Sequence, residues 1–213
     1  MNVVVIDYGS GNLRSAAKAL EVAAGIAGKS VSVIISSNPD VLRKADKVVL
    51  PGQGAFGDSM RGLTDRSGLL DSLNDAIHNR AVPFLGICVG MQLMSVGGLE
   101  HGYHKGLGWF SGTVRRMCPK DQKFKIPHMG WNDIFINKPH PILSGVKSGT
   151  DCYFVHSFAY ETANSDEVIA CTDYGGTITA AIAKENMAGM QFHPDKSQAV
   201  GIQILANFIV WKP

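Results

Sequence analysis

The chain has 213 residues, 45% of them apolar and 18% charged, with a formal net charge of +2. A chain of that size can bury a sizeable core without disulfide or metal staples. The near-neutral balance provides no basic field for nucleic acid or an anionic membrane surface, and no apolar run approaches the ~20 residues that span a bilayer.

Val3 to Ile6 is a short apolar run that reads as a first strand. No basic segment precedes it as in a secretory signal, so a cytoplasmic protein is expected. The run stops in the turn-rich Asp7-Tyr8-Gly9-Ser10-Gly11-Asn12. Leu13 to Ala24 then carries Leu13, Ala16, Ala17, Leu20 and Ala24 at helical spacing. Val31 to Ile35 and Lys47 to Leu50 are β-branched and strand-like, the second ended by Pro51-Gly52. Ser67 can cap a helix with Leu69, Leu70, Leu73, Ala76 and Ile77 on one side. Val82 to Ile87 is a further apolar run, and helical character resumes from Met91 to Val96. Strands alternating with helices predict an α/β fold, a Rossmann-like or flavodoxin-like core with a parallel sheet covered on both faces.

Beyond Gly106 the texture turns β-rich. Gly112 to Met117, Trp131 to Ile136, Cys152 to Tyr160, Glu167 to Thr172 and Ile178 to Lys184 predict antiparallel or mixed strands added to that core. Ser197 to Trp211 closes the chain as an amphipathic helix with Val200, Ile204, Leu205 and Phe208. No linker or repeat interrupts the pattern, so residues 1–213 are expected to form one domain.

Cys88, Cys118, Cys152 and Cys171 are scattered without a Cys-x-x-Cys pair, which argues against a disulfide framework or a zinc knuckle. Cys88 alone has a chemical context, Gly86-Ile87-Cys88-Val89-Gly90, between a strand and a helix. A nucleophile on such a tight turn is pushed out above the sheet edge, and flanking glycines let the backbone close. The start of a helix there favours thiolate, the attacking species. The bland alternative is a small buried cysteine in a glycine-rich turn.

A thiol nucleophile needs a histidine and a group to orient it. His193 ends the apolar approach Met190-Gln191-Phe192, and Asp195 follows two positions later. In an extended segment those two side chains point the same way, so Asp195 is expected to reach the ring. His101 and His104 lack a carboxylate or cysteine at metal spacing and read as solvated loop, His140 between prolines likewise, and His78 as a helix-end residue. Pro51-Gly52-Gln53-Gly54 follows a strand, and its amides could face a developing oxyanion. On its own it reads as a plain turn. Two phosphate-loop look-alikes fail: Gly9-Ser10-Gly11 has Arg14 where a third glycine belongs, and Gly28-Lys29-Ser30 has Ala23 at the leading position and precedes a strand.

These segments together resemble the class I (triad-type) glutamine amidotransferases, and more closely the family of glutaminase subunits of imidazole glycerol phosphate synthases. The resemblance runs the full length. It rests on Asp7-Tyr8-Gly9-Ser10-Gly11-Asn12-Leu13, Leu50-Pro51-Gly52-Gln53-Gly54-Ala55-Phe56, Gly86-Ile87-Cys88-Val89-Gly90-Met91-Gln92, Pro127-His128-Met129-Gly130-Trp131-Asn132, Tyr153-Phe154-Val155-His156-Ser157 and Gln191-Phe192-His193-Pro194-Asp195-Lys196-Ser197. It implies Cys88 as nucleophile, His193 as general base and Asp195 as third member, where the family usually has glutamate. It implies an oxyanion hole from the Gln53 and Val89 amides, on a strand that flips into its active form, Gln53 standing where a small apolar residue is usual. Glutamine would be gripped by Gly52, Gly54, Gln92 and Glu100, with Tyr153, His156 and Ser157 alongside. Asn12, Trp131 and Lys196 would face the partner, a (β/α)8 barrel cyclase that receives ammonia and forms imidazole glycerol phosphate and an aminoimidazole carboxamide ribotide. No metal or organic cofactor is implied. The competing expectations are a γ-glutamyl hydrolase on the same fold, a non-catalytic assembly subunit, and a paralogue feeding a sugar-modifying synthase.

Overall fold

The computed structural model describes residues 1–121 and 123–213. In chain order its strands are β1 (Asn2–Ile6), β2 (Ser32–Ser36), β3 (Lys47–Gly52), β4 (Phe84–Cys88), β5 (Gly97–Gly98), β6 (His104–Lys105), β7 (Thr113–Arg116), β8 (His128–Ile136), β9 (Thr150–His156), β10 (Phe158–Glu161), β11 (Val168–Asp173), β12 (Thr177–Lys184) and β13 (Met187–Met190). The helices are α1 (Leu13–Ile26), α2 (Pro39–Leu42), α3 (Phe56–Thr64), α4 (Leu69–Asn74), α5 (Val89–Gln92) and α6 (Gln198–Val210). No helix among the described residues is long and apolar enough to cross a membrane.

Nine strands form the main sheet in the order β2-β1-β3-β4-β13-β12-β11-β8-β9. From β2 to β13 neighbours run parallel; from β13 to β9 they run antiparallel. The change falls where the sequence turns β-rich. Every residue of β3 and β4 is buried, which is why both read as continuous apolar runs, not alternating ones. Helix α1 packs on α6, and α4 packs with α2 and α3. The small sheet β10-β7-β5-β6 completes the fold.

Helix α1 buries Ala16, Ala17, Ala19, Leu20, Ala23 and Ala24 as one stripe, and Asn12 caps it by accepting from the Ser15 amide at 3.3 Å. Its other end explains one phosphate-loop look-alike. Gly28 has φ +61°, Lys29 N–H reaches the Ala24 carbonyl at 3.0 Å, and Gly28 N–H reaches Gly25 at 3.2 Å. Gly28-Lys29 is therefore a helix stop of the Schellman kind.

The structure departs from the sequence reading in six places. Helix α3 and strand β13 were not anticipated: α3 holds two glycines among nine residues, and β13 is four residues long. The expected Cys152–Tyr160 strand divides at Ser157 into β9 and β10, which belong to different sheets. The helix expected from Met91 is a single turn that starts earlier, at Val89. The helix expected from Ser67 follows a left-handed Gly68 and passes into a π turn, Asp75–Asn79. His104 is not solvated loop but a half-buried residue of β6 whose ring covers Gly57.

Candidate active site

Cys88 ends β4 and caps the one-turn helix α5 with φ +54° and ψ −111°. A non-glycine residue held there costs about 1–3 kcal/mol and persists only where its surroundings impose it. A Cβ at Gly86 would lie 2.7 Å from the Gly90 carbonyl oxygen, and one at Gly90 would lie 1.8 Å from that of Leu50. Both glycines are thus required for the turn to close against β3. With one turn behind it, the elbow contributes unpaired amides more than a long macrodipole.

Strand β13 lies parallel beside β4, so the segment after Met190 emerges at the same sheet edge as Cys88. His193 follows there, pinned to β9 by its amide on the Tyr153 carbonyl at 2.9 Å. The Ser197 hydroxyl donates to the His193 carbonyl at 2.7 Å and accepts from the Tyr153 amide at 3.0 Å. Asp195 meets the ring, Oδ1 standing 3.6 Å from Nδ1. The geometry is not the expected extended one: Pro194–Lys196 is a 3-10 turn. Ser15 of α1 donates to Asp195 Oδ2 at 2.6 Å and steadies the carboxylate from its far side. Burial pulls the His193 pKa down, but the Asp195 carboxylate and the neighbouring Cys88 sulfur outweigh it and raise it to about 9. Burial opposes ionisation of Asp195 too, yet His193 and Ser15 hold its pKa below the usual carboxylate value. Among the described residues Nε2 of His193 has no aligned partner, and the Cys88 thiol donates to the Val155 carbonyl at 3.9 Å. Hydrogen bonds of this kind tighten when substrate completes the site.

Cys88 and His193 open on a cavity of about 590 Å³ shared with Gln53, Gly54, Val89, Gln92 and Glu100. Ala55, Pro127, Val155, His156, Ser157, Phe158 and Lys196 complete its wall. Tyr153 and Gly52 do not line it. Tyr153 contributes backbone bonds to the His193 segment, and Gly52 packs directly beside the elbow in register with Cys88. A Cβ on Gly52 would lie 2.6 Å from the Gly90 nitrogen and from the Tyr8 hydroxyl. Glu100 accepts from the Phe56 amide at 2.8 Å, which ties the cavity floor to the start of α3. The Gln53 amide is engaged at 3.4 Å by the Ser10 hydroxyl, which in turn donates to the Gln53 carbonyl. In this conformation Ser10 competes for the donor that an oxyanion would need.

Behind the cavity lies a buried polar chain. The Asn132 amide meets His128 Nε2 at 3.2 Å, His128 Nδ1 meets His156 Nε2 at 3.0 Å, and His156 Nδ1 meets the Phe158 carbonyl at 2.9 Å. Burial lowers the pKa of both histidines to about 4, so both stand neutral. His128 is clamped between Tyr174 and Phe154, with ring centroids 3.9 and 4.7 Å away. Sequence reasoning gave no role to His128, Ser10, Ser15 or Gln191. Apart from Asn132, four positions from His128, their partners lie tens to more than a hundred residues away, so spacing along the chain does not reveal these contacts.

Strand β8 carries a row of exposed apolar side chains. Met129, Trp131 and Phe135 project from alternating positions of β8 with 58%, 49% and 43% exposure. Trp131 packs edge-on to Tyr153, and the Lys196 ammonium lies 5.7 Å from that ring. Exposed Asn12 sits at the start of α1.

Residues 4–211 match the glutamine amidotransferase class-I family. Similar proteins include the imidazole glycerol phosphate synthase subunit HisH of Brucella abortus (strain 2308), 50% identical with both chains fully covered. That of Caulobacter vibrioides is 49% identical over 99% of each chain, and that of Rhodospirillum rubrum 50% identical over the whole of both. A solved glutamine amidotransferase superimposes with a TM-score of 0.70 at 16% identity, covering 95% of this chain and 98% of the other. One from Thermotoga maritima gives 0.58 at 14%, covering 92% and 76%.

Proposed function

Since the chain belongs to the class I glutamine amidotransferases, and within them to the HisH glutaminase subunits of imidazole glycerol phosphate synthase, we propose that Cys88, His193 and Asp195 carry out its glutamine hydrolysis. The observation that supports this assignment most is the strained Cys88 elbow, which shares one cavity with a histidine already paired to a buried carboxylate.

The reaction then runs as follows. Cys88 Sγ, its proton already given to His193, attacks the side-chain carbonyl carbon of glutamine. The negative oxygen faces the Val89 amide, and the Gln53 amide once Ser10 releases it; each such donor stabilises the intermediate by ~3 kcal/mol. His193 returns the proton to the departing nitrogen, which leaves as ammonia and a thioester remains. Water, deprotonated by His193, cleaves the thioester and glutamate leaves with the thiol restored. Gly52 shapes the turn and Gly54 the wall, while Gln92, Glu100, His156 and Ser157 surround the amino-acid end of the substrate.

Ammonia released to bulk water becomes ammonium and stops being a nucleophile. A partner that accepts it under cover is therefore part of the function. The proposed partner is a (β/α)8 barrel cyclase docked on the flank formed by Trp131, Met129 and Lys196 and reaching Asn12. Residues 1–213 act as one domain in this complex, in the cytoplasm. Copurification with that cyclase and assay on the histidine-pathway nucleotide test the reading. Glutamine-dependent formation of imidazole glycerol phosphate is the expected result. Rapid glutaminase activity by the free chain, unchanged by the cyclase, would favour a stand-alone hydrolase instead.

A further inference from the structure

Gln191 is fully buried at the end of β13, and both ends of its amide are used. Its Nε2 donates to Cys88 Sγ at 3.8 Å, and its Oε1 accepts from Gln92 Nε2 at 3.1 Å. Gln92 Nε2 also donates to the Phe158 carbonyl at 3.0 Å.

The direction of each bond follows from that carbonyl, which can only accept. His156 Nδ1 must therefore carry a proton toward it. His156 Nε2 is then the acceptor for His128 Nδ1–H, and His128 Nε2 the acceptor for the Asn132 amide, whose Nδ2 also donates to the Asp173 carbonyl at 2.9 Å. For the same reason the group of Gln92 facing Phe158 is its NH2. That leaves Oε1 of Gln92 as its only uncommitted polar atom. Gln191 must turn its oxygen to Gln92, since two facing NH2 groups would repel, and so its NH2 points at the sulfur. The neutral histidine pair, with His128 stacked between Tyr174 and Phe154, makes the arrangement rigid, because reversing any amide would break two bonds at once.

We propose that Gln191 couples the nucleophile to the substrate grip: one N–H stabilises the Cys88 thiolate, and its oxygen holds Gln92 with an acceptor free for the substrate's ammonium group. The titratable or charged groups near Cys88 are His193, Tyr8, His156, Glu100 and Lys196. Gln191 is the neutral side chain that donates to the sulfur. When sulfur becomes a thioester it is a poor acceptor, so the bond favours the ionised state over the acylated one. The N–H is never transferred.

This rests on Cys88 being the nucleophile, and the test separates the two claims. Alkylation by iodoacetamide is followed against pH at the Cys88 peptide by mass spectrometry, and glutamine kinetics are measured on the chain with its cyclase. Gln191→Glu keeps an oxygen for Gln92 but faces the sulfur with a carboxylate. The alkylation midpoint should rise by about one pH unit while KM stays within threefold. Gln191→Met removes both functions, so the midpoint should rise and KM should increase about tenfold. Should either variant fail to fold, the side-chain amide resonance of Gln191 in the unaltered chain should titrate with the Cys88 midpoint. An active enzyme with an unchanged midpoint in both variants, or a flat Gln191 resonance, overturns the proposal. A chain inert toward glutamine in the complex overturns the assignment of Cys88 instead.

Discussion

Gly90→Ala tests whether close packing of the elbow on β3 sets the geometry of the site. The new Cβ would lie 1.8 Å from the Leu50 carbonyl oxygen and 2.8 Å from its carbon, both backbone atoms of a fully buried strand. An ordinary carbon–oxygen contact is about 3.3 Å, so the gap must open by about 1.5 Å. Leu50 is paired with Gly86 in the parallel ladder and lies two residues before Gly52, so the opening displaces both Cys88 and the Gln53 side of the site. Overpacking of this kind costs about 3 kcal/mol, at the upper end of its usual range. In a chain of this length that is roughly 6–12 °C in Tm. A displacement near 1 Å at the reacting atoms lowers kcat about 100-fold. Gly25→Ala is the control: that glycine lies inside α1 with nothing within 4 Å of a new Cβ, so the change should stabilise by about 0.5–1 kcal/mol and spare activity. Thermal unfolding and glutamine-dependent turnover with the cyclase read both variants. Gly90→Ala with an unchanged Tm and full turnover would refute the reasoning.

Ser15→Ala should lower glutamine-dependent kcat about tenfold and leave ammonia-dependent synthesis unchanged. It strips a buried carboxylate of a 2.6 Å donor, a loss of about 1–3 kcal/mol, and an unaltered kcat would show that Asp195 needs no such support. Stability should peak near pH 6.5. His128 and His156 have folded pKa values of about 4, below the unfolded ~6.5, so what they contribute is complete above pH 6.5 and lost as pH falls toward 4, by about 1.4 kcal/mol per pH unit for each proton taken up. His193, raised to about 9, contributes fully below pH 6.5 and loses its contribution as pH rises through 9. Urea unfolding across pH 4–9 measures both flanks, and a profile flat from pH 6.5 to 4.5 would contradict the neutral histidine pair.

The parts legible in the sequence were those with a local cause. The glycines two residues either side of Cys88 are dictated by contacts within the turn and with the adjacent strand, so spacing alone revealed the elbow. Continuous apolar runs revealed β3 and β4 because both faces of those strands are covered. The Cys152–Tyr160 break was invisible, because nothing in its β-rich composition records that the chain changes sheets at Ser157. The supporting shell was equally hidden. Ser15 meets Asp195 across 180 positions and Gln92 meets Gln191 across 99, contacts that leave no periodic pattern and exist only once β13 lies beside β4. His193 and Asp195 lie 3.6 Å apart, but a 3-10 turn and not the expected extended segment brings them together.

Replacing one sulfur decides the central claim. In the complex with the cyclase, Cys88→Ala should reduce glutamine-dependent synthesis to background while synthesis from added ammonium salt stays within twofold of the parent. Retained glutamine turnover would show that another group is the nucleophile, and loss of both activities would show that Cys88 serves the assembly and not the hydrolysis.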